Sequence, residues 1–276
     1  MTDDPPRELD VTFKALPEWE RWQADNPGFD SAAFREGLVA HVLTYGLREP
    51  ITGVVVPPAD ITRGQDLREG LMVRGLVSRQ RAVMWIIEHT IDMSVWPQLR
   101  IYAPEAVTPI ALRLRGVFPK FLGSEFTLDP ERRASMYPIP FEDLTALTLP
   151  SNTFDLVTTN EVLEHVPSID AALAELARIL KPGAWHIGTH PLKHQVRSIV
   201  KSKLENGIVV HLAQPEYHGD PFSDSGSLVF EIPGWDILDR ARTAGFSEAH
   251  FRFVVSQYSG CIASEGVGIF VLCCRK

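Results

Sequence analysis

Four short stretches in the second half of the sequence concentrate the side chains that can do chemistry. They are Tyr102-Ala103-Pro104-Glu105, Ser124-Glu125, Asn160-Glu161-Val162-Leu163-Glu164-His165 and Thr189-His190. Carboxylates dominate them: Glu105, Glu125, Glu161 and Glu164. A carboxylate offers two acceptor oxygens and can take both hydroxyls of a ribose. The ligand this implies is nucleoside-like and carries little negative charge. A polyphosphate would need a glycine- and lysine-rich loop, and the sequence has none. Histidine is the side chain best suited to proton abstraction near neutral pH. Three stand where a reacting group could sit: His165, His190, and His218 in the polar run Glu216-Tyr217-His218-Gly219-Asp220-Pro221. His218 and Asp220 are candidates for substrate contact, and an Asx-type turn closed by Gly219 and Pro221 is the structural alternative. Ser78-Arg79-Gln80-Arg81 reads as a solvated helix face from which Arg79 could reach an anionic substrate. No metal site is expected among His186, His190, His194, His211 and His218. His190 and His194 have helical spacing, but Pro191 argues for a loop there, and neither an H-E-x-x-H pattern nor a cysteine ligand accompanies them.

The elements that must position these residues alternate. Leu99 to Ala103, Lys120 to Gly123, Phe154 to Thr159, and Trp185 to Thr189 are short apolar strand candidates. Between and after them lie helical patterns at Thr108 to Arg115, Asp170 to Leu180 (capped by Ser168 and stopped at Lys181-Pro182-Gly183) and Gly234 to Ala244. Two further strands, Phe251 to Ser256 and Gly268 to Cys274, close the chain. This rhythm predicts an open α/β sheet with crossover connections. In such a sheet ligands bind beyond the carboxyl ends of the strands, which is where all four stretches fall. Residues 1–95 read as largely helical: Trp19 to Asp25, Ser31 to Tyr45, and an amphipathic Leu67 to His89. Ile51 to Asp60 reads as strand or extended loop.

Composition narrows the classes. The chain has 276 residues, 45% hydrophobic and 22% charged, with a formal charge of −8. It can bury a sizeable core, and the acidic balance argues against a sequence-independent grip on nucleic acid. The acidic, proline-broken start is unlike a signal peptide, and no apolar run is long enough for a membrane helix. Cys261, Cys273 and Cys274 are odd in number and crowded, as expected of buried free thiols in a cytoplasmic protein.

The run from Leu147 to Val166, LTLPSNTFDLVTTNEVLEHV, resembles class I S-adenosylmethionine-dependent methyltransferases, and Ala172 to Gly183, ending ARILKPG, continues the likeness. About 40 consecutive residues fit, and the wider likeness runs from about residue 98 to 276. The resemblance implies a Rossmann-like, seven-stranded, mostly parallel sheet with an antiparallel last strand, spanning that region; the first 95 residues match no motif and are expected to form an N-terminal helical cap. It also implies S-adenosylmethionine as cofactor. Glu125 takes the place of the acid that holds the ribose. Asp143 matches the acid on the adenine amino group, with Leu144 behind the ring. Asn160 and Glu161 face the methionine moiety and the acceptor. One stretch departs from the family: the first strand lacks the usual glycine-rich turn and reads Ile101-Tyr102-Ala103-Pro104-Glu105-Ala106-Val107-Thr108-Pro109. Tyr102, Ala103, Glu105 and Thr108 are still expected to border the cofactor, with Glu105 replacing lost contacts.

The division expected is residues 1–95 as cap and 96–276 as methyltransferase-like domain. Two functional classes follow. One is methylation, on oxygen or nitrogen, of a small polar acceptor such as a sugar or natural-product intermediate. The other is a catalytically inactive scaffold on the same fold, which the altered first turn favours. A third option keeps S-adenosylmethionine for different chemistry. An exposed tryptophan face at Trp19 and Trp22 would point to a homodimer.

Overall fold

The computed structural model describes residues 7–220, 223–264 and 266–276. Nine strands matter to the site: β1 (Glu8–Phe13), β2 (Arg100–Ala103), β3 (Lys120–Gly123), β4 (Phe154–Asn160), β5 (Leu180–Thr189), β6 (Tyr217–Asp220), β7 (Ser223–Leu228), β8 (Glu248–Ser256) and β9 (Ile269–Arg275). The helices are α1 (Leu16–Asp25), α2 (Ala32–Tyr45), α3 (Ser78–Thr90), α4 (Pro109–Val117), α5 (Pro130–Ser135), α6 (Ile169–Ile179) and α7 (Ile237–Thr243). Seven strands form one sheet in the order β1-β8-β9-β5-β4-β2-β3. The fold is Rossmann-like, with the expected helices on crossover connections. No helix among the described residues is long and apolar enough to cross a membrane.

By contact the chain divides into two compact units, Met1–Pro97 with His250–Leu272, and Gln98–Ala249 with Cys273–Lys276. Residues 250–272 thus group with the N-terminal region.

In the second unit β4 sits at the centre. Its Phe154-Asp155-Leu156-Val157-Thr158-Thr159-Asn160 run is mostly β-branched or aromatic and almost wholly buried, as a strand covered on both faces must be. It pairs in parallel with β2 and β5, and β2 pairs in parallel with β3. The registers Ala103↔Gly123 and Asn160↔Thr189 bring the carboxyl ends of these strands to one rim. Helix α6 starts where Ser168 accepts from the Ala171 N–H at 3.2 Å and buries Ala172, Leu173, Leu176 and Ile179.

The sheet differs from expectation in which strands complete it. Residues 98–276 supply six of the seven. Between Glu125 and Phe154 the chain makes only one parallel bridge, Glu125↔Phe141. Pro138 and Pro140 stand just before it and cannot donate to a ladder, which limits the pairing to that bridge. The seventh strand is β1, antiparallel to β8 from Glu8↔Ser256 to Phe13↔Phe251.

The first unit corrects three sequence expectations. Residues 67–77 are turns rather than the front of a helix, because Arg74 and Gly75 adopt positive φ and Val73 pairs with Leu76. Trp19 is buried and Trp22 half-buried, in a cluster with Phe13, Phe29, Phe253 and Phe270, so they form core and not a dimer face. Ser78, Gln80 and Arg81 are buried rather than solvated. Arg81 donates to the carbonyls of Leu76, Ser259 and Gly260 at 3.0, 2.8 and 2.9 Å, and Ser78 Oγ lies 2.6 and 2.8 Å from those of Gly260 and Ile262. Burial pulls the Arg81 guanidinium down to about 10, so it remains charged at neutral pH. Cys261, Cys273 and Cys274 are buried free thiols.

A lysine at 81 keeps the charge but cannot span three carbonyls with a rigid fork. Arg81→Lys is expected to cost about 2 kcal/mol or more through unsatisfied buried carbonyls, read as a lower urea midpoint. An unchanged midpoint would contradict this role.

Candidate functional site

The rim at the ends of β2, β3 and β4 is built from acceptors. Glu105 is 5% exposed and Glu125 9%. The Asn160 amide nitrogen donates to Glu105 Oε1 at 2.5 Å, tying the end of β4 to the turn after β2. Thr108 Oγ1 donates to Glu105 Oε2 at 3.0 Å and caps α4 by accepting from Ala111 N–H at 3.4 Å. Glu125 Oε1 accepts from the Val107 N–H at 3.1 Å. The turn without glycine is therefore compact and held by carboxylates.

Its close approach is made possible from the opposite strand. A Cβ on Gly123 would lie 2.8 Å from Ala106 Cα, so the glycine that permits the contact stands on β3. Ala106 N–H also donates to the Ser124 carbonyl at 3.1 Å.

Tyr102 and Ala103, expected beside the cofactor, are fully buried. The Tyr102 hydroxyl is 2.8 Å from Ser124 Oγ and its ring packs at 5.5 Å from Phe154. Burial raises the phenol well above its ordinary range, so Tyr102 supports the rim from the core. Asp143 follows the Glu125↔Phe141 bridge, and Glu142 N–H donates to the Glu125 carbonyl at 3.1 Å, so Glu125 and Asp143 come to the same rim. Asp143 Oδ1 accepts from the Thr145 N–H and hydroxyl at 2.8 and 2.7 Å, and Leu144 is buried beside it.

Beyond β4 the chain turns sharply. Glu161 has φ +56 and its N–H donates to the Thr189 carbonyl at 2.9 Å, a conformation that costs a non-glycine residue about 1–2 kcal/mol. The turn places Glu164 and His165 against the β6–β7 hairpin. Glu164 is 0% exposed, and among the described residues neither carboxylate oxygen receives a hydrogen bond. Its Oε1 lies 3.6 Å from His165 Nε2 and 3.7 Å from His218 Nδ1. The two imidazoles meet edge to face at 5.4 Å. The Glu164 carboxylate, with Glu216 adding to it, holds His218 above the ordinary histidine range despite the opposing effect of burial.

His218 thus meets His165, as the sequence could not show, and its segment is strand rather than an Asx-type turn. The Asp220 side chain and Pro221 lie outside the described residues. His190 is buried at the end of β5, its Nδ1 2.9 Å from the Pro191 carbonyl, and has not joined the other two histidines in their cluster. Arg79 belongs to the first unit, where it pairs with Glu69 at 2.5 Å. Sequence reasoning named Glu164 only as one acid among four. Its adjacency to His165 was the available signal, but its burial depends on Phe230, whose N–H donates to the Glu164 carbonyl at 2.8 Å.

The rim fits S-adenosylmethionine chemically. Asn160 Oδ1 is buried with no partner among the described residues, beside two buried carboxylates. Acceptors so placed suit a ligand that brings hydroxyls, an ammonium and a positive sulfur.

Comparison with known proteins agrees with this chemistry. Residues 129–188 match the family model of the methyltransferase domain. Over 54 residues the chain is 44% identical to an uncharacterised methyltransferase of Schizosaccharomyces pombe, covering 20% of this chain and 16% of that protein. Over 38 residues it is 58% identical to the ubiquinone/menaquinone biosynthesis C-methyltransferase of Hydrogenovibrio crunogenus, covering 14% of this chain and 15% of that one. The chain therefore matches about one sixth of the length of these curated relatives. Among solved structures it is similar to an S-adenosylmethionine-dependent methyltransferase of Mesorhizobium loti, with 15% identity, coverage of 71% and 98%, and a TM-score of 0.43.

One buried group beneath the rim makes a pH test. His186 on β5 is fully buried, with Nε2 2.9 Å from Thr159 Oγ1. Burial, reinforced by His190, pulls it down to about 3. The unfolded chain protonates it below about 6.5 while the folded chain refuses the proton. Its contribution is thus full above that pH and is lost as pH falls toward 3, by up to about 1.4 kcal/mol per unit. His186→Gln is expected to flatten the stability slope between about pH 6 and pH 4 in urea titrations. A slope as steep as in the parent chain would rule this out.

Proposed function

We propose that the chain transfers a methyl group from S-adenosylmethionine to a small polar acceptor, a sugar or natural-product intermediate methylated on oxygen or nitrogen, in the cytoplasm. The acceptor-lined rim joining Glu105, Glu125 and Asn160, adjoining the methyltransferase-domain segment, carries the reading. The cofactor supplies a methyl group activated by its sulfonium. Glu125 accepts the ribose hydroxyls. Asp143 and Leu144 hold the adenine edge and face. Asn160 Oδ1 and Glu161 orient the methionine portion. Displacement at a methyl group needs alignment and exclusion of water more than acid–base help. A base is required only where the acceptor must lose a proton, and His165 and His218 stand together for that task, with His190 a further candidate.

One observation favours the inactive scaffold as a second reading: the Val107 N–H already occupies Glu125 Oε1. Calorimetry separates the two. Micromolar binding of S-adenosylmethionine is the expected result, and absence of binding at millimolar ligand would establish the scaffold instead. Glu125→Ala is expected to weaken binding by about 1.5–3 kcal/mol, the range for hydrogen bonds to a charged group. His218→Ala is expected to lower turnover against a panel of hydroxylated and amine acceptors while leaving cofactor affinity nearly unchanged. Loss of cofactor affinity in that variant would remove His218 from the acceptor side.

A further inference from the structure

Glu164, His165 and His218 present one ligand atom each, all within 4.8 Å of one another. We propose that they form a binding site for a single divalent transition-metal ion of the zinc class. The inference does not depend on methyl transfer and lies apart from the rim of Glu105, Glu125 and Asn160; with the ion bound, His165 and His218 are its ligands and do not serve as the base.

Distances come first. Zinc bonds to nitrogen and oxygen at about 2.0–2.2 Å, so neighbouring ligands around a tetrahedral ion lie about 3.3–3.5 Å apart. Glu164 Oε1 is 3.6 Å from His165 Nε2 and 3.7 Å from His218 Nδ1. These spacings are too long for good hydrogen bonds and need only a few tenths of an ångström of closure around an ion.

The remote nitrogens come second. His165 Nδ1 is 2.9 Å from the Leu228 carbonyl, which can only accept, so this nitrogen carries the proton and Nε2 is left to point its lone pair at Glu164. His218 Nε2 is 3.2 Å from Glu216 Oε1, which in turn frees Nδ1. A backbone carbonyl behind one imidazole and a carboxylate behind the other are the partners that orient metal-bound histidines and fix their tautomers. Lys201, 3.0 Å from Glu216 Oε2, anchors that carboxylate.

Burial comes third. The Glu164 side chain has no exposed surface, and among the described residues its oxygens accept no hydrogen bond. An ionised carboxylate in that state is costly unless a cation compensates it. The histidine side chains remain 17% and 30% exposed, which leaves room for water or an acceptor oxygen at a fourth position. Two imidazoles and a carboxylate with one open position make the ligand set of catalytic rather than structural zinc.

The test uses the full chain, stripped with chelator and dialysed against Co²⁺ as a spectroscopic stand-in for Zn²⁺. The expected result is one bound equivalent, visible d–d absorption, displacement by Zn²⁺ and a rise in thermal midpoint on loading. Glu164→Gln and His218→Ala should abolish the stoichiometric signal. Glu216→Gln, which touches no metal, should weaken affinity about 10- to 100-fold. Circular dichroism of each metal-free variant shows whether it folds, and Glu216→Gln keeps the test decisive if a ligand variant does not. No stoichiometric binding by the parent chain would overturn the proposal and leave the cluster an ion pair between His218 and Glu164. Binding that survives in folded ligand variants would also overturn it, by placing the metal elsewhere. A failure of S-adenosylmethionine to bind would touch only the proposed function.

Discussion

A carboxylate removed from water must be compensated, and Glu164 is where that constraint bears hardest on this chain. Its burial follows from two pieces of backbone meeting: the strained turn after β4, through Glu161, and the segment leaving the β6–β7 hairpin, through Phe230. Both imidazoles come with those pieces, one from each. The hairpin is therefore more than a surface excursion. Without it Glu164 would be solvated, and His165 would lose the carbonyl that sets its tautomer. The central parallel pairing of β4 with β5 acts upstream of this, because Glu161 takes its place by donating to Thr189.

The opposite side of the β4 end works by a different economy. There the acids are satisfied within the protein, Glu105 by Asn160 and Thr108, Glu125 by Val107. Residues that a glycine-rich turn would leave to backbone are here supplied by side chains, and the steric allowance has moved to Gly123. Such a turn is preorganised. It can exchange one internal donor for a ligand hydroxyl at little cost, whereas a flexible glycine turn must first be ordered.

Local patterning made much of this legible. The Phe154–Asn160 strand announces itself by β-branched residues, and the helix after it by Ser168 and its three- and four-residue apolar spacing. The strand ends, and so the rim acids, follow from those two periods alone. What escaped depends on partners far along the chain. Ser78 and Arg81 look solvated because their compensation lies in carbonyls of residues 259–262, which no local window contains. Trp19 and Trp22 look exposed until Phe253 and Phe270 arrive to cover them. Apolar spacing predicts one helix from Leu67 to His89, but positive φ angles at Leu71, Arg74 and Gly75 decide the path of its first part. The hairpin was hidden by its polarity, and β1 by its distance from the rest of the sheet.

That last distance has a consequence for the birth of the molecule. Strand β1 leaves the ribosome long before its ladder partner does. Asp10 and Arg252, paired across the two strands, are 242 residues apart. The aromatic cluster beneath needs the same late arrivals, and Arg81 waits on carbonyls 178 and 179 positions downstream. Closing a loop of that length is slow, although lengthening it further costs little. During synthesis the second unit can form its parallel strands while the N-terminal helices stand with their tryptophans uncovered. The nascent chain therefore passes through an interval of exposed aromatic surface, in which chaperone capture and aggregation compete until residues 250–272 are made.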